Sequence, residues 1–191
     1  MKPGDALYLG GLGVLACERL FELRLSSRNA RTQLTRGAEE FGRSHFPAMV
    51  ALHSLFLAAC AAELWLYHPP LRVALALPAF AVALAAQGLR YWAVYTLGDR
   101  WNTRIIARRG DAPVTGGPYR YLRHPNYLAV VLELAAVPLI HGCWRTALAF
   151  SVGNAILLAV RIPAEERALG ELYQSAFAGR PRFVPEAQRG R

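Results

Sequence analysis

The stretch FPAMVALHSLFLAACAAELWL at 46–66 decides the class of fold. Its one charged residue is Glu63, and apolar side chains recur on every face a helix would have. A helix of about 20 such residues crosses roughly 30 Å of hydrocarbon. Working outward, the runs 71–97, 126–141 and 143–161 repeat the pattern. A fifth run, ALYLGGLGVLACERLFELRL at 6–25, is apolar only in its first half. In its second half Glu18, Arg19, Glu22 and Arg24 recur at three- and four-residue spacings, which lets them pair along a helix. They belong either at the membrane boundary or in the bundle interior, and interfacial anchoring is the simpler of the two.

The basic residues supply a second, separate test. The chain of 191 residues carries a net charge of +9, and 21 of its 22 basic residues are arginine, as in proteins from GC-rich genomes. Segments 26–45, 98–125 and 161–191 hold sixteen of them, whereas 1–5, 67–72 and 141–145 hold one each: Lys2, Arg72 and Arg145. Loops rich in arginine face the cytoplasm. Five spans therefore fit with the N-terminus outside and the C-terminus inside, which gives an all-α polytopic membrane protein. Nucleic acid is not an expected partner, because the arginines lie between hydrophobic segments and not along one amphipathic surface. Cys17, Cys60 and Cys143 are far apart, the five histidines show no metal-ligand spacing, and no metal is expected. The weak VLAC match at 14–17 to a lipoprotein cleavage site is outweighed by the expectation of a retained first helix.

The chemistry gathers on the cytoplasmic side, where GGPYRYLRHPNY at 116–127 leads straight into LAVVLELAAVPLI. Gly116, Gly117 and Pro118 make a turn that lets backbone approach a ligand. Pro125 suits the first position of the fourth helix, whose free N–H groups can hold an anion. Tyr119, Tyr121 and Tyr127 offer aromatic faces for a cation or a purine. An interfacial aromatic belt explains the same residues without a ligand. The last two spans are joined around His141-Gly142-Cys143 and must form a tight hairpin. That hairpin brings RIPAEERALGELY at 161–173 back beside the glycine–tyrosine loop. There Pro163 is expected to start a new helix with Glu165 and Glu166 in its first turn, where the helix dipole favours them. Arg161 and Glu165, four apart, can also hold the opposite charges of one ligand.

The sequence GPYRYLRHPNY, then a two-helix hairpin, then R-x-x-x-E-E, resembles the isoprenylcysteine carboxyl methyltransferase family of membrane enzymes over about residues 90–185. RHPNY on its own occurs in membrane sterol reductases too; the pair of motifs at this separation is the more specific sign. The resemblance implies S-adenosylmethionine as cofactor, held at the cytoplasmic face between the loop and the segment after the hairpin. By matching position it implies cofactor contacts from Val114 (through its backbone), Tyr119, His124, Pro125, Asn126, Tyr127 and Glu165. Arg161 resembles the family's arginine on the acceptor side. Two positions depart from the family pattern: Asp111 stands where eukaryotic relatives have a histidine, and Leu172 stands where a glutamate precedes the tyrosine.

ERLFELRLSSRNAR at 18–31, LGDRWNTRI at 97–105 and PRFVP at 181–185 are most similar to bacterial members associated with type III polyketide synthases. The resemblance thus implies methylation of the hydroxyl of a long-chain alkylresorcinol or alkylpyrone, a lipophilic acceptor entering from the bilayer among membrane lipids. The alternatives are methylation of an isoprenylcysteine carboxylate and an NADPH-dependent membrane reductase; no Rossmann glycine fingerprint supports the last. The expected location is the bacterial inner membrane with the site at the cytoplasmic face. The expected organisation is three helices with a basic loop over 1–97, the loop, hairpin and C-terminal helix over 98–185, and a tail at 186–191.

Overall fold

The computed structural model of the chain describes residues 2–183, so the expected tail at 186–191 lies outside the described residues. Five long helices form: α1 (Pro3–Thr35), α2 (His45–Tyr67), α3 (Val73–Leu97), α4 (Pro125–Leu139) and α5 (Trp144–Ala176). Three of them, α2, α3 and α5, are long and apolar enough to cross a membrane. The apolar α4 is shorter, at 15 residues. The fold is not purely helical. Glu39–Phe41 (β1) pairs antiparallel with Ile105–Ala107 (β2), Glu40 opposite Ile106, and ties the loop after α1 to the loop after α3. Three-residue strands are too short to show an alternating pattern, so neither was legible in the sequence.

The radial arrangement is inverted relative to a soluble bundle. Large side chains such as Leu7, Trp65, Leu77 and Ile156 are exposed, while α3 buries Ala79, Ala86 and Ala93 at seven-residue intervals. Its most extensive neighbour is α4, which buries Ala129 and Ala136. Small residues allow close helix approach where lipid leaves no hydrophobic drive to hold helices together. A larger apolar cluster of Tyr8, Leu12, Phe56, Leu64 and Leu134 packs α1, α2 and α4.

The charges of α1 turn inward, which overturns the interfacial reading for all but the exposed Arg24. Arg19 Nη1 lies 2.7 Å from Glu22 and its Nη2 3.2 Å from Glu18. Arg90 of α3 donates to Glu133 of α4 at 2.6 Å, and both Glu22 and Arg19 lie 3.8 Å from that pair. Gln87 and Tyr91 donate to Glu18. In an apolar medium charges are tolerated only when mutually paired, so this network fixes α1 against α3 and α4.

The hairpin joins α4 and α5 as expected, with Gly142 at φ 75° in the turn. Glu63 of α2 accepts from the amides of Arg145 and Thr146 at 3.2 and 2.7 Å, capping the start of α5 from a neighbouring helix. Pro163 does not begin a new helix. It sits inside α5, which continues to a kink at Gly170 (φ 77°, ψ −168°). Glu165 and Glu166 therefore lie in mid-helix, where the dipole offers them no stabilisation. Neighbouring helices keep a proline-containing helix intact when they supply partners for its freed backbone groups.

Candidate active site

Pro125 occupies the first turn of α4, after His124 as N-cap, as its missing N–H allows. The preceding loop is fixed by a one-turn 3-10 helix at Gly117–Arg120. Gly117 has φ 53°, and a Cβ there would collide with Thr96 of α3, so only glycine lets the loop lie this close to the helix. The loop is closed from the other side by the end of the described chain. Arg123 and His124 donate their amides to the carbonyls of Pro181 and Arg182 at 3.0 and 3.3 Å. Arg180 donates to Tyr119 O at 2.8 Å. Part of the expected anion-holding backbone at the start of α4 is thus used by the chain itself.

Glu166 anchors this closure. It accepts from Arg182 Nε and Nη2 at 3.0 and 2.6 Å and faces His124 Nε2 at 3.1 Å. Partial burial pushes its carboxyl up, but the hydrogen bonds from Arg182 and His124 outweigh that and hold it below the usual glutamate value. Burial, with Glu165 nearby, pushes the Tyr119 hydroxyl well up, which keeps it a neutral donor.

Glu165 points elsewhere. Tyr127 donates its hydroxyl to Glu165 and accepts from Arg161 Nε at 2.8 Å. Arg161, buried at 3% exposure, also donates Nη2 to Thr103 O at 2.5 Å. The arginine and glutamate four apart on α5 are thereby bridged by the last tyrosine of the loop motif. Thr103 is in turn held from α1: its amide donates to Ser26 Oγ at 3.0 Å, and Asn102 turns its amide nitrogen to the same oxygen. Asn29 donates to Trp101 O at 2.8 Å.

Two cavities meet at this bridge. One, of about 160 Å³, lies between the loop and the C-terminal part of α5, and Val114, Tyr119, His124, Asn126, Tyr127 and Glu165 all line it. Six of the seven positions expected to hold a ligand there are brought together. The seventh, Pro125, is buried as a helix-starting residue and does not line the cavity. The second, of about 360 Å³, lies between helices and is walled mainly by apolar residues such as Leu20, Leu57, Val130 and Leu158. Arg161 lines only this second cavity, where two of the other expected residues, Asn126 and Tyr127, meet it. Trp101, Asn102, Asn126 and Tyr127 line both. At that shared wall Asn126 Oδ1 and Trp101 Nε1 are buried without a hydrogen-bond partner among the described residues. Buried polar atoms are nearly always satisfied, so two orphans at one junction suit a ligand with both a donor and an acceptor.

Several lining residues escaped the sequence reading, namely Trp101, Asn102, His53 and Asn154. Trp101 and Asn102 sit in LGDRWNTRI, noticed only for its resemblance. A lone histidine inside an apolar span was the signal for His53, since ionisable groups in a span mark function by default.

Comparison with known proteins follows this geometry. A model of the isoprenylcysteine carboxyl methyltransferase (ICMT) family matches residues 78–171. The uncharacterized protein YpbQ of Bacillus subtilis (strain 168) is 39% identical over 161 residues, covering 84% of this chain and 95% of that protein. An uncharacterized protein of Haemophilus influenzae is 26% identical over 160 residues, covering 81% and 90%. Among solved structures, the eukaryotic intramembrane Ras methyltransferase ICMT superposes with a TM-score of 0.60 at 18% identity, over 97% of this chain and 68% of that one.

Proposed function

Since the chain belongs to the isoprenylcysteine carboxyl methyltransferase family, whose members are S-adenosylmethionine-dependent methyltransferases of membranes, we propose that it O-methylates the hydroxyl of a long-chain alkylresorcinol or alkylpyrone. The observation that carries this reading is the pair of cavities sharing one wall, one loop-lined and the more polar of the two, the other between helices and more apolar. The loop-lined cavity would hold the cofactor. Its residues fit the group: Glu165 answers an ammonium, Arg123 a carboxylate, and the faces of Tyr119 and Tyr127 a sulfonium or an adenine. When bound, S-adenosylmethionine supplies an electrophilic methyl.

The apolar cavity would hold the acceptor, its tail among the helices and its polar head at Arg161. With Nε and Nη2 engaged by Tyr127 and Thr103, the guanidinium is held in one orientation. A fixed cation beside the acceptor oxygen stabilises the oxyanion that attacks. Burial excludes water, and the shared wall sets the approach of the two reactants, which is much of what an in-line transfer needs.

The wider frame of the proposal is a five-span protein of a bacterial inner membrane, N-terminus outside and site at the cytoplasmic face, supported by the arginine partition. A type III polyketide synthase is the proposed source of the alkylated ring. Methylation of an isoprenylcysteine carboxylate is the second reading, favoured by the family itself. The test gives membranes containing the protein labelled S-adenosylmethionine with a long-chain alkylresorcinol or, separately, a farnesylated cysteine analogue. Label in a base-stable ether from the resorcinol is the expected result. Label only in a base-labile ester of the farnesylated analogue would transfer the assignment to the second reading.

A further inference from the structure

We infer that His53 is the base that takes the acceptor's proton, which rests on the reading of the inter-helix cavity as the acceptor chamber. His53 is on α2, outside the stretch matched by the family model, and it lines the same cavity as Arg161 and Tyr127. Its Nδ1 lies 2.9 Å from the carbonyl of Met49, one turn earlier. A carbonyl only accepts, so Nδ1 carries the hydrogen. In the neutral ring the lone pair is then on Nε2, and no group of the described residues bonds it. The helix has fixed the tautomer that leaves a base facing the chamber.

A hydroxyl acceptor requires such a group. Methyl transfer to it breaks the methyl–sulfur bond of the sulfonium donor, forms a carbon–oxygen bond, and breaks an O–H bond. The sulfur leaves with the bonding pair as a neutral thioether, and the proton moves to His53 Nε2, directly or through one water. An ionised carboxylate acceptor has no proton to lose, so a base in this chamber has work only with a hydroxyl.

The charges around the ring are of both signs. His53 is in the field of Glu133, Arg90 and Arg19, and Glu22 and Arg161 line the same cavity. On α1, α3 and α4, Arg19 and Arg90 face Glu18, Glu22 and Glu133. On α5, Arg161 is matched by Glu165 across Tyr127.

The experiment uses the full chain in lipid nanodiscs with two phenols bearing the same long alkyl tail, one weakly acidic and one made acidic by a nitro group. His53→Asn keeps an amide N–H able to reach the Met49 carbonyl but has no base. With the weakly acidic phenol its kcat is expected to fall by about 100-fold or more, the usual scale of general base catalysis. With the nitrophenol, already ionised, the fall is expected to stay within a few-fold. Binding of S-adenosylhomocysteine is expected to match wild type, and added imidazole to restore part of the lost rate. Equal losses on both phenols, or no loss on either, would overturn the role of His53 while leaving the methyltransferase reading intact. If the wild-type protein methylates neither phenol yet binds S-adenosylhomocysteine, the hydroxyl acceptor and the base are both refuted.

Discussion

Tyr127 carries three duties with one hydroxyl. It closes a bond to Glu165, receives one from Arg161 and stands at the wall between the cavities. Its two charged partners can therefore be tested apart. Glu165→Gln should weaken S-adenosylhomocysteine binding by roughly 1.5–3 kcal/mol, the range for hydrogen bonds to charged groups, as read by calorimetry. Arg161→Ala should leave that affinity within a few-fold and abolish most turnover. Arg161→Lys should recover only a fraction, because an ammonium cannot reach both Tyr127 and Thr103 in one plane.

Glu166, the neighbour of Glu165, has a structural part to play and a different signature. Its carboxyl has a folded pKa below the ordinary one, so its contribution is complete above the ordinary value and is lost as pH falls through the lower folded value. Exchange of the Arg123 and His124 amides, corrected for intrinsic rates, should accelerate only in that acid window. In Glu166→Gln it should be fast throughout. The sequence named both glutamates but placed them at a helix start, because Pro163 reads locally as a breaker. What kept α5 whole was its surroundings, which no local pattern records.

Among the elements, the loop before α4 was the most legible. Each of its features is local: a glycine that must take positive φ, a proline at the first helical position, tyrosines with a hydroxyl to place. Gly117→Ala should cost about 1–2 kcal/mol for the left-handed backbone alone, and more for the collision with Thr96. A lower melting temperature in detergent should accompany lost S-adenosylhomocysteine binding, and adding Thr96→Ala should restore only part of either. What the sequence could not give were partnerships between distant elements. The cap that Glu63 lends to α5 spans 82 residues, and the ion network joins three helices. Glu63→Ala should destabilise the protein by about 1–2 kcal/mol, as loss of a helix cap does, with little change in affinity for the cofactor product.

For the whole molecule, the class was legible because a bilayer imposes length and composition together, and the 46–66 run satisfies both. The count of spans is harder, since α1 bears charges that look interfacial and α4 is short. Cysteine labelling in a Cys-free background tests it. Position 68 should react from outside and position 104 only from the cytoplasmic side; reaction of both from one side would refute five spans.

The segment 180–182 that latches over the loop has a consequence in time. Arg180 meets Arg123, a residue made 57 positions earlier, and between them the ribosome must deliver the entire hairpin. During synthesis the motif residues of the loop emerge first, with one wall of their cavity still untranslated. They gain that wall only when α4 and α5 have been made and have folded back on each other. A nascent or misinserted chain thus holds every loop residue the chemistry names and still has no enclosed site. Binding of the cofactor product becomes a reporter of a completed hairpin, and the last helix sets the moment at which the enzyme begins to exist.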